Sequence, residues 1–100
     1  MVKEITLINI KGTSVDNIGQ ITVIEEKTDV IATVSSITQS EFMSAGQIGL
    51  KPDLRFEVWS VEYSGETFLE MDGVRFSIYR TYARPDGRTE LYTERRVGNE

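Results

Sequence analysis

"DGVRFSIYRTYARPDGRTELYTERRV", residues 72–97, contains the two clearest turn signals of the chain and the strands that they join. An Asp-Gly pair before alternating apolar residues is the strongest short-range signal of a β-hairpin. Val74, Phe76 and Ile78 then alternate with polar residues, as in a strand with one buried face. The turn "RPDGR" follows, in which Gly87 takes the position that needs a positive φ. We therefore expect two consecutive hairpins in an antiparallel sheet.

Further strands are predicted on the N-terminal side of this segment. "KEITLINI" has apolar residues of both parities, as in a strand that is partly buried on both faces. "ITVIEE" and "VIATVSSI" are rich in β-branched residues and predict two strands joined by a polar turn, "EKTD". "KGTSVDNIGQ", residues 11–20, predicts a turn-rich loop. In "LRFEVWSVEY" the apolar residues switch from even-numbered to odd-numbered positions near Val58–Trp59. Such a switch occurs at a β-bulge or in a strand that is buried on both sides.

The stretch "TQSEFMSAGQIGLKP", residues 38–52, predicts a single short helix over about residues 39–47. Thr38 and Glu41 have the spacing of a capping box, in which each side chain bonds a backbone amide of the first turn. Phe42 falls at the helical position that packs against the residue before the cap, so we expect it to point inward. The pattern as a whole predicts a mainly β domain, residues 1–100, with six or seven strands in a small antiparallel barrel or sandwich.

Composition excludes several kinds of chemistry. The chain has no histidine and no cysteine, so a serine–histidine triad, a thiolate nucleophile and the usual zinc sites are excluded. We expect no enzymatic activity, no cofactor and no bound metal. The carboxylate pairs Glu25–Glu26 and Glu90–Glu94 are interpreted as solvated strand edges. No apolar run is long enough to span a membrane, and the N-terminus lacks the features of a secretory signal.

Arginines and aromatic residues are interleaved between residues 75 and 88. Such a surface holds single-stranded nucleic acid in some proteins, but arginine and tyrosine also anchor protein–protein interfaces. The net charge of −5 and the neighbouring acidic residues favour the second interpretation. The candidate interface residues are Tyr79, Arg80, Tyr82 and Arg84 on this segment, and Met43, Gln47, Ile48 and Leu50 in and after the helix.

The segment from Ser36 to Gly98 resembles the head closure proteins (head–tail connector or stopper proteins) of long-tailed bacteriophages and prophages of Gram-positive bacteria. The similarity rests on "QSEF" and "AGQIGLKP" in the helical stretch, followed by "GVRFSIYRTY" and "DGRTELYTERR". The order and spacing of these pieces make the pattern fairly specific. The N-terminal third is similar to the family more loosely.

The resemblance implies a small β-barrel that assembles as a homo-oligomeric ring in the virion neck, after synthesis in the host cytoplasm. Its implied partners are the portal or adaptor ring on one side and the tail terminator on the other, and it implies neither a cofactor nor catalysis. Packaged DNA would pass through the ring without sequence-specific binding. An acidic lumen would repel the DNA duplex. The subunit would be monomeric until its platform, the portal or adaptor ring, is present.

Three other functions remain open at this stage. A tail-completion protein on a related barrel would have the same physical properties and would differ only in the partner that it binds. A barrel that binds single-stranded nucleic acid would use the arginine–tyrosine surface. A small hydrolase with paired carboxylates has almost no support in the sequence.

Overall fold

A computed structural model describes residues 1–95 of the chain. The sheet consists of β1 Val2–Val15, β2 Ile21–Ser36, β3 Pro52–Trp59, β4 Phe68–Met71, β5 Val74–Ala83 and β6 Arg88–Arg95. A single helix, α1 Gln39–Gly46, lies between β2 and β3, and a 3-10 turn, Ser60–Glu62, follows β3. The last two residues predicted for the final strand, Arg96 and Val97, and the predicted frayed tail "GNE" lie outside the described residues.

The six strands form a closed antiparallel barrel in the order β1-β2-β3-β6-β5-β4. The barrel closes where Thr6, Leu7 and Ile8 of β1 pair with residues 68–70 of β4. The prediction of a small antiparallel β-barrel with one short helix between strands is therefore confirmed. Closure leaves no free sheet edge within the barrel itself, which protects a small domain from edge-to-edge association.

The core consists of side chains that alternate along the strands and point into the barrel. Phe56 and Phe76 meet near its centre, with ring centroids 5.4 Å apart in an edge-to-face arrangement. Because opposed residues share a face of the sheet, Phe56 lies between Val34 and Leu91 on its two neighbouring strands. The buried cluster is Ile5, Leu7, Val30, Ala32, Val34, Phe56, Val58, Leu69, Phe76 and Leu91.

Both predicted hairpins are confirmed. Asp72 and Gly73 have φ values of 52° and 79°, so the Asp-Gly pair forms a two-residue turn in which both central residues are left-handed. In the second turn Gly87 has a φ of 85°, and the Arg84 amide donates to the Arg88 carbonyl at 2.8 Å. The alternation that begins at Val74 continues to a bulge in β5 after residue 78.

Two of the predictions for the N-terminal half are wrong. β2 runs without interruption from Ile21 to Ser36, so "EKTD" is strand rather than turn. Residues 27–29 pair with β1 throughout, and the Thr6 hydroxyl donates to Asp29 at 2.7 Å. Residues 11–20 are not a loop either, because β1 continues to Val15 and only residues 16–20 form the turn. Polar residues marked these segments as loops, but strand pairing with exposed faces accommodates them.

Neither alternative for the change near Val58–Trp59, a β-bulge or a strand buried on both sides, is found: β3 ends at Trp59 and the chain enters the 3-10 turn. Trp59 and Val61 face solvent, being 51% and 93% exposed, whereas Tyr63 is half-buried and packs against the core. The Ser60 amide donates to the Gly87 carbonyl at 2.8 Å, which directs the chain toward the second hairpin turn. A bulge between β3 and β6 lies instead between Pro52 and Leu54.

The helix begins where the capping signal placed it. The Thr38 hydroxyl accepts from the Glu41 amide at 3.2 Å. The inward placement of Phe42, however, is wrong, because its side chain is 54% exposed. Ala45 is the buried residue of the helix, and it lies one turn after Glu41 on the side that faces the barrel. Phe42 is rotated by about 100° from Glu41 around the helix axis and lies on the flank of the contact, where its side chain remains exposed.

Candidate interaction surfaces

One exposed apolar surface is the end of the β1–β2 hairpin, residues 10–25, called here the arm. Every residue from 13 to 24 is exposed. Val15 pairs with Ile21, and Val23 lies two residues further along the same strand, so these side chains share one face. Ile10 lies on that face as well, because it pairs with residue 25. Their exposed fractions run from 39% at Ile10 to 68% at Ile21, and Ile18 at the tip is 81% exposed.

The arm extends beyond the part of the hairpin that belongs to the barrel. β1 pairs with β4 only over residues 6–8, and β2 pairs with β3 only over residues 33–36. Within residues 1–95, the arm strands therefore pair only with each other. A two-stranded hairpin is marginally stable in water unless other groups cover it. Within the described residues, no third strand therefore supports the arm.

The second apolar surface is formed by the helix and the turn that follows it. Met43 and Ile48 are 57% and 76% exposed, and Gln47 lies between them and is exposed. Leu50 is half-buried. A cavity of about 210 Å³ opens between this segment and β5, with Ala45, Ile48 and Leu50 on its apolar side and Glu41, Tyr79 and Arg80 on its polar side.

Glu41 fixes the helix to the barrel. Its carboxylate accepts from the Tyr79 hydroxyl at 3.0 Å and from the Arg80 guanidinium at 2.5 Å. The hydrogen bond from Arg80 is the main cause of the lowered pKa of Glu41, and partial burial opposes it. Burial and the bond to Glu41 together raise the pKa of Tyr79. The glutamate of the capping box thus bonds to β5, where the sequence suggested a backbone amide.

A charged network covers the outer surface of β3, β5 and β6. Glu90 is 7% exposed and accepts from the Tyr92 hydroxyl at 2.5 Å and from Arg84 at 3.1 Å. Arg84 also contacts Glu57 at 3.0 Å, and Arg55 lies 3.9 Å from Glu90. The Tyr92 hydrogen bond is the largest cause of the lowered pKa of Glu90, and it outweighs the opposing effect of burial. The interpretation of Glu90 as a solvated strand edge is therefore wrong.

Most of the arginines on the predicted arginine–tyrosine surface are neutralised by carboxylates. Arg75 bonds Glu25 at 2.9 Å and Glu70 at 3.0 Å. The arginines with a carboxylate partner are Arg55, Arg75, Arg80, Arg84 and Arg95. Arg80 in addition stacks over the Tyr92 ring at 4.0 Å. Little positive charge therefore remains on this surface for a phosphate backbone.

Arg88 differs from these arginines because, within the described part of the chain, no carboxylate forms an ion pair with its guanidinium; Asp86 accepts only from its backbone amide. Its guanidinium lies 4.5 Å from the centroid of the half-exposed Trp59 ring. The same guanidinium donates to the Glu57 carbonyl at 3.2 Å and to the Thr33 hydroxyl at 3.4 Å. Arg88 is therefore held against the sheet and its positive charge faces an aromatic ring.

The candidate residues divide into three groups in space. Tyr79 and Arg80 line the cavity together with Ile48 and Leu50. Arg84, by contrast, belongs to the Glu57–Glu90 network, and Tyr82 pairs with Glu90 and is 51% exposed. Met43 and Gln47 lie on the exposed side of the helical segment.

The arm was missed in the sequence because its glycine and polar residues predicted a loop. A usable signal was present: between residues 12 and 24 only Asp16 is charged, and most of the others are β-branched or apolar. That composition is typical of a paired strand rather than of a solvated loop.

The fold and these surfaces define a small closed β-barrel with two exposed apolar surfaces, one on the arm and one on the helix. No protein-family model matches the chain, and no curated protein matches it. No helix among residues 1–95 has the length and apolar character required to cross a membrane.

Proposed function

We propose that this protein is a structural subunit of a phage or prophage virion, a head closure protein that forms a ring at the head–tail junction. The resemblance of residues 36–98 to that family supports the proposal. The partners would be the portal or adaptor ring and the tail terminator, and packaged DNA would pass through the ring. A tail-completion protein would use the same surfaces toward a different neighbour.

The observation that carries the proposal is the presence of two separate apolar surfaces on one small barrel. A ring subunit contacts a neighbour on each side through two different patches, and it also contacts the rings above and below. The arm exposes Val15 and Ile21, and the helical segment exposes Met43 and Ile48. Exposed apolar patches of this kind mark protein–protein contacts when they are contiguous.

The charges favour a protein partner over single-stranded nucleic acid. A nucleic-acid surface needs arginines whose positive charge is available to phosphates. Here Arg75, Arg80 and Arg84 each contact one or more carboxylates at 3.2 Å or less. The same ion pairs instead fix the aromatic residues and the helix in place on the barrel.

The proposal is tested by size-exclusion chromatography with light scattering, on the protein alone and then with portal–adaptor complexes or tailless heads. We expect a monomer alone and co-migration when the platform is present. Binding to a single-stranded oligonucleotide is measured in parallel at low salt. Salt-sensitive oligonucleotide binding together with no binding to the platform would overturn the proposal.

A matched pair of variants connects this test to the helical surface. Ile48→Glu introduces a charge at a side chain that is 76% exposed, so the isolated protein is expected to fold as before. Thr67→Glu adds the same charge on the exposed loop before β4. We expect the first variant to lose platform binding and the second to keep it. Equal binding by both would exclude the helical segment from the contact.

A further inference from the structure

The arm has two open edges, and the hydrogen-bond pattern shows which groups lie along them. Met1 and Val34 exchange both of their backbone hydrogen bonds, at 3.2 and 2.6 Å. Bonded and non-bonded positions alternate in an antiparallel pair, so even-numbered residues of β2 face β1. The odd-numbered residues, among them Val23 and Lys27, direct their N–H and C=O groups to the other side. No strand pairs with that side of β2 between residues 21 and 32 within the described chain.

The distal part of these edges, beyond the β1 bulge between Ile10 and Gly12, lacks the features that keep natural edge strands from pairing. Between residues 12 and 24 there is no proline, and Asp16 is the only charged residue. Asp16 caps the turn at the tip, where its carboxylate accepts from the amides of residues 18 and 20. Natural proteins protect free edges with charges, prolines or bulges, and the distal part of the arm has β-branched residues instead. Such an edge is suited to pairing with another strand.

The charges at the base of the arm indicate which strand is complementary. On β1 the base carries Lys11, and on β2 it carries Glu25, Glu26 and Lys27. Within one copy Lys11 lies 3.3 Å from Glu26 and Lys27 lies 4.0 Å from Glu25. Two β2 edges side by side would bring acidic residues together, which is unfavourable across a strand pair. A β1 edge next to a β2 edge places Lys11 of one copy near the acidic residues of the other. The arm is therefore complementary to the opposite edge of an identical arm.

We propose that the arms of neighbouring subunits pair edge to edge, β1 of one copy with β2 of the next, to form a continuous antiparallel collar. This inference rests on the proposed ring, because rotation about a ring axis keeps all the arms pointing in one direction. β1 of one arm then runs antiparallel to β2 of the next. The contact joins two different patches, and such a contact generates a ring when the rotation between neighbours closes. The row formed by Ile10, Val15, Ile21 and Val23 becomes continuous around the collar.

Disulfide formation between single-cysteine variants tests this pairing, because the chain has no cysteine of its own. Thr13→Cys places a thiol on the β1 strand of the arm. Val23→Cys and Lys27→Cys place thiols on β2, and all three side chains lie on the same face of the sheet. Ser14→Cys is the matched control, since its side chain is on the opposite face. Each variant is oxidised alone, and Thr13→Cys or Ser14→Cys is also mixed with each β2 variant.

The oxidation is carried out on the concentrated full-length protein and on the protein bound to portal–adaptor complexes. On the portal–adaptor complexes, where subunits are brought together, we expect a disulfide-linked dimer when Thr13→Cys is mixed with a β2 variant, and a loss of that band when Ser14→Cys replaces it. Dimers in each variant alone would show pairing of identical edges and would overturn the inference. An absence of dimers in all samples would overturn it as well, and pairing with an extended segment of another protein would then remain.

The outcomes for the collar and for the proposed function are distinguishable. Platform binding without the mixed dimer overturns the collar and leaves the head closure function standing. A mixed dimer in the concentrated protein without platform binding supports edge pairing and contradicts the proposed partners. Absence of both results overturns both proposals.

Discussion

Replacing Glu90 by alanine tests whether the charged network on the outside of the barrel stabilises the fold. Glu90 is almost fully buried, and it accepts hydrogen bonds from the Tyr92 hydroxyl and from Arg84. The Glu90→Ala variant leaves the Tyr92 hydroxyl without its acceptor. It also removes the carboxylate that lies between Arg84 and Arg55. The strand itself is expected to remain in place, because the neighbouring side chains Leu91 and Thr89 are buried in the barrel.

The loss of stability in Glu90→Ala depends on which other interactions the partners of Glu90 retain. Breaking a buried ion pair by removing one member costs about 3–5 kcal/mol. Arg84 retains Asp86 and Glu57, so the cost is expected at the low end, about 3 kcal/mol. For a domain of this size, a loss of about 3 kcal/mol lowers the melting temperature by about 12–24 °C.

The free energy of unfolding is measured by urea titration, with far-UV circular dichroism as the signal. Glu94→Ala is the matched control, because Glu94 lies on the same face of the same strand and is only half-buried. Its carboxylate accepts from the Lys51 amide at 3.0 Å in an exposed position, so we expect a loss of about 1 kcal/mol or less. Equal losses in the two variants would refute the argument that burial makes Glu90 different.

Three further results are expected. The folded-state pKa values of Glu41 and Glu90 are lowered, so their contribution to stability is present above about pH 4.3 and is lost as the pH falls through the lowered values. The midpoint of urea unfolding, measured between about pH 5 and pH 3, tests this. A midpoint that does not change with pH would contradict it. Phe42→Ala is expected to cost less than about 1 kcal/mol in the isolated protein, and a urea-measured loss of about 3–5 kcal/mol would place Phe42 in the core. Gly73→Ala is expected to cost about 1–2 kcal/mol, because the φ of Gly73 is 79°, whereas Gly46→Ala in the helix is expected to stabilise the protein slightly. Thermal unfolding compares the two variants, and equal shifts of their melting temperatures would contradict the turn geometry.

The C-terminal half of the fold was predictable because its signals are local. An Asp-Gly turn, a Pro-Asp-Gly turn and the alternation from Val74 to Ile78 all act over a few residues. The N-cap at Thr38 is local too, and the helix begins there. Such signals depend on φ preferences and on short-range hydrogen bonds, which neighbouring residues determine.

The errors in the N-terminal half have a different origin. Residues 11–15 and 26–29 contain polar residues that are equally compatible with loops and with the exposed face of a paired strand. Only the partner strand decides between them, and β1 pairs with residues 21–33 of β2 along this stretch. Phe42 was misplaced for a related reason, because the helix has a single buried residue, Ala45, and the staple pattern does not specify the face that the barrel covers.

The candidate surface was only partly predictable from the sequence. Tyr79, Arg80, Ile48 and Leu50 were singled out separately, and the structure brings them to one cavity. The link between them is Glu41, which the sequence assigned to helix capping alone. Contacts between residues about forty positions apart depend on how α1 packs on β5, and a single sequence does not contain that information.

The arm also bears on the order of assembly. Its two strands pair only with each other within the described chain, so each arm is marginal in an isolated subunit. In the proposed collar every arm pairs with a strand of another subunit on each of its two edges. All arms have both of these pairings only when the ring is closed. A subunit that binds one neighbour therefore gains less than the subunit that completes the ring, which makes ring formation cooperative. On this reasoning a platform that brings subunits together promotes the ring, while the isolated protein remains monomeric.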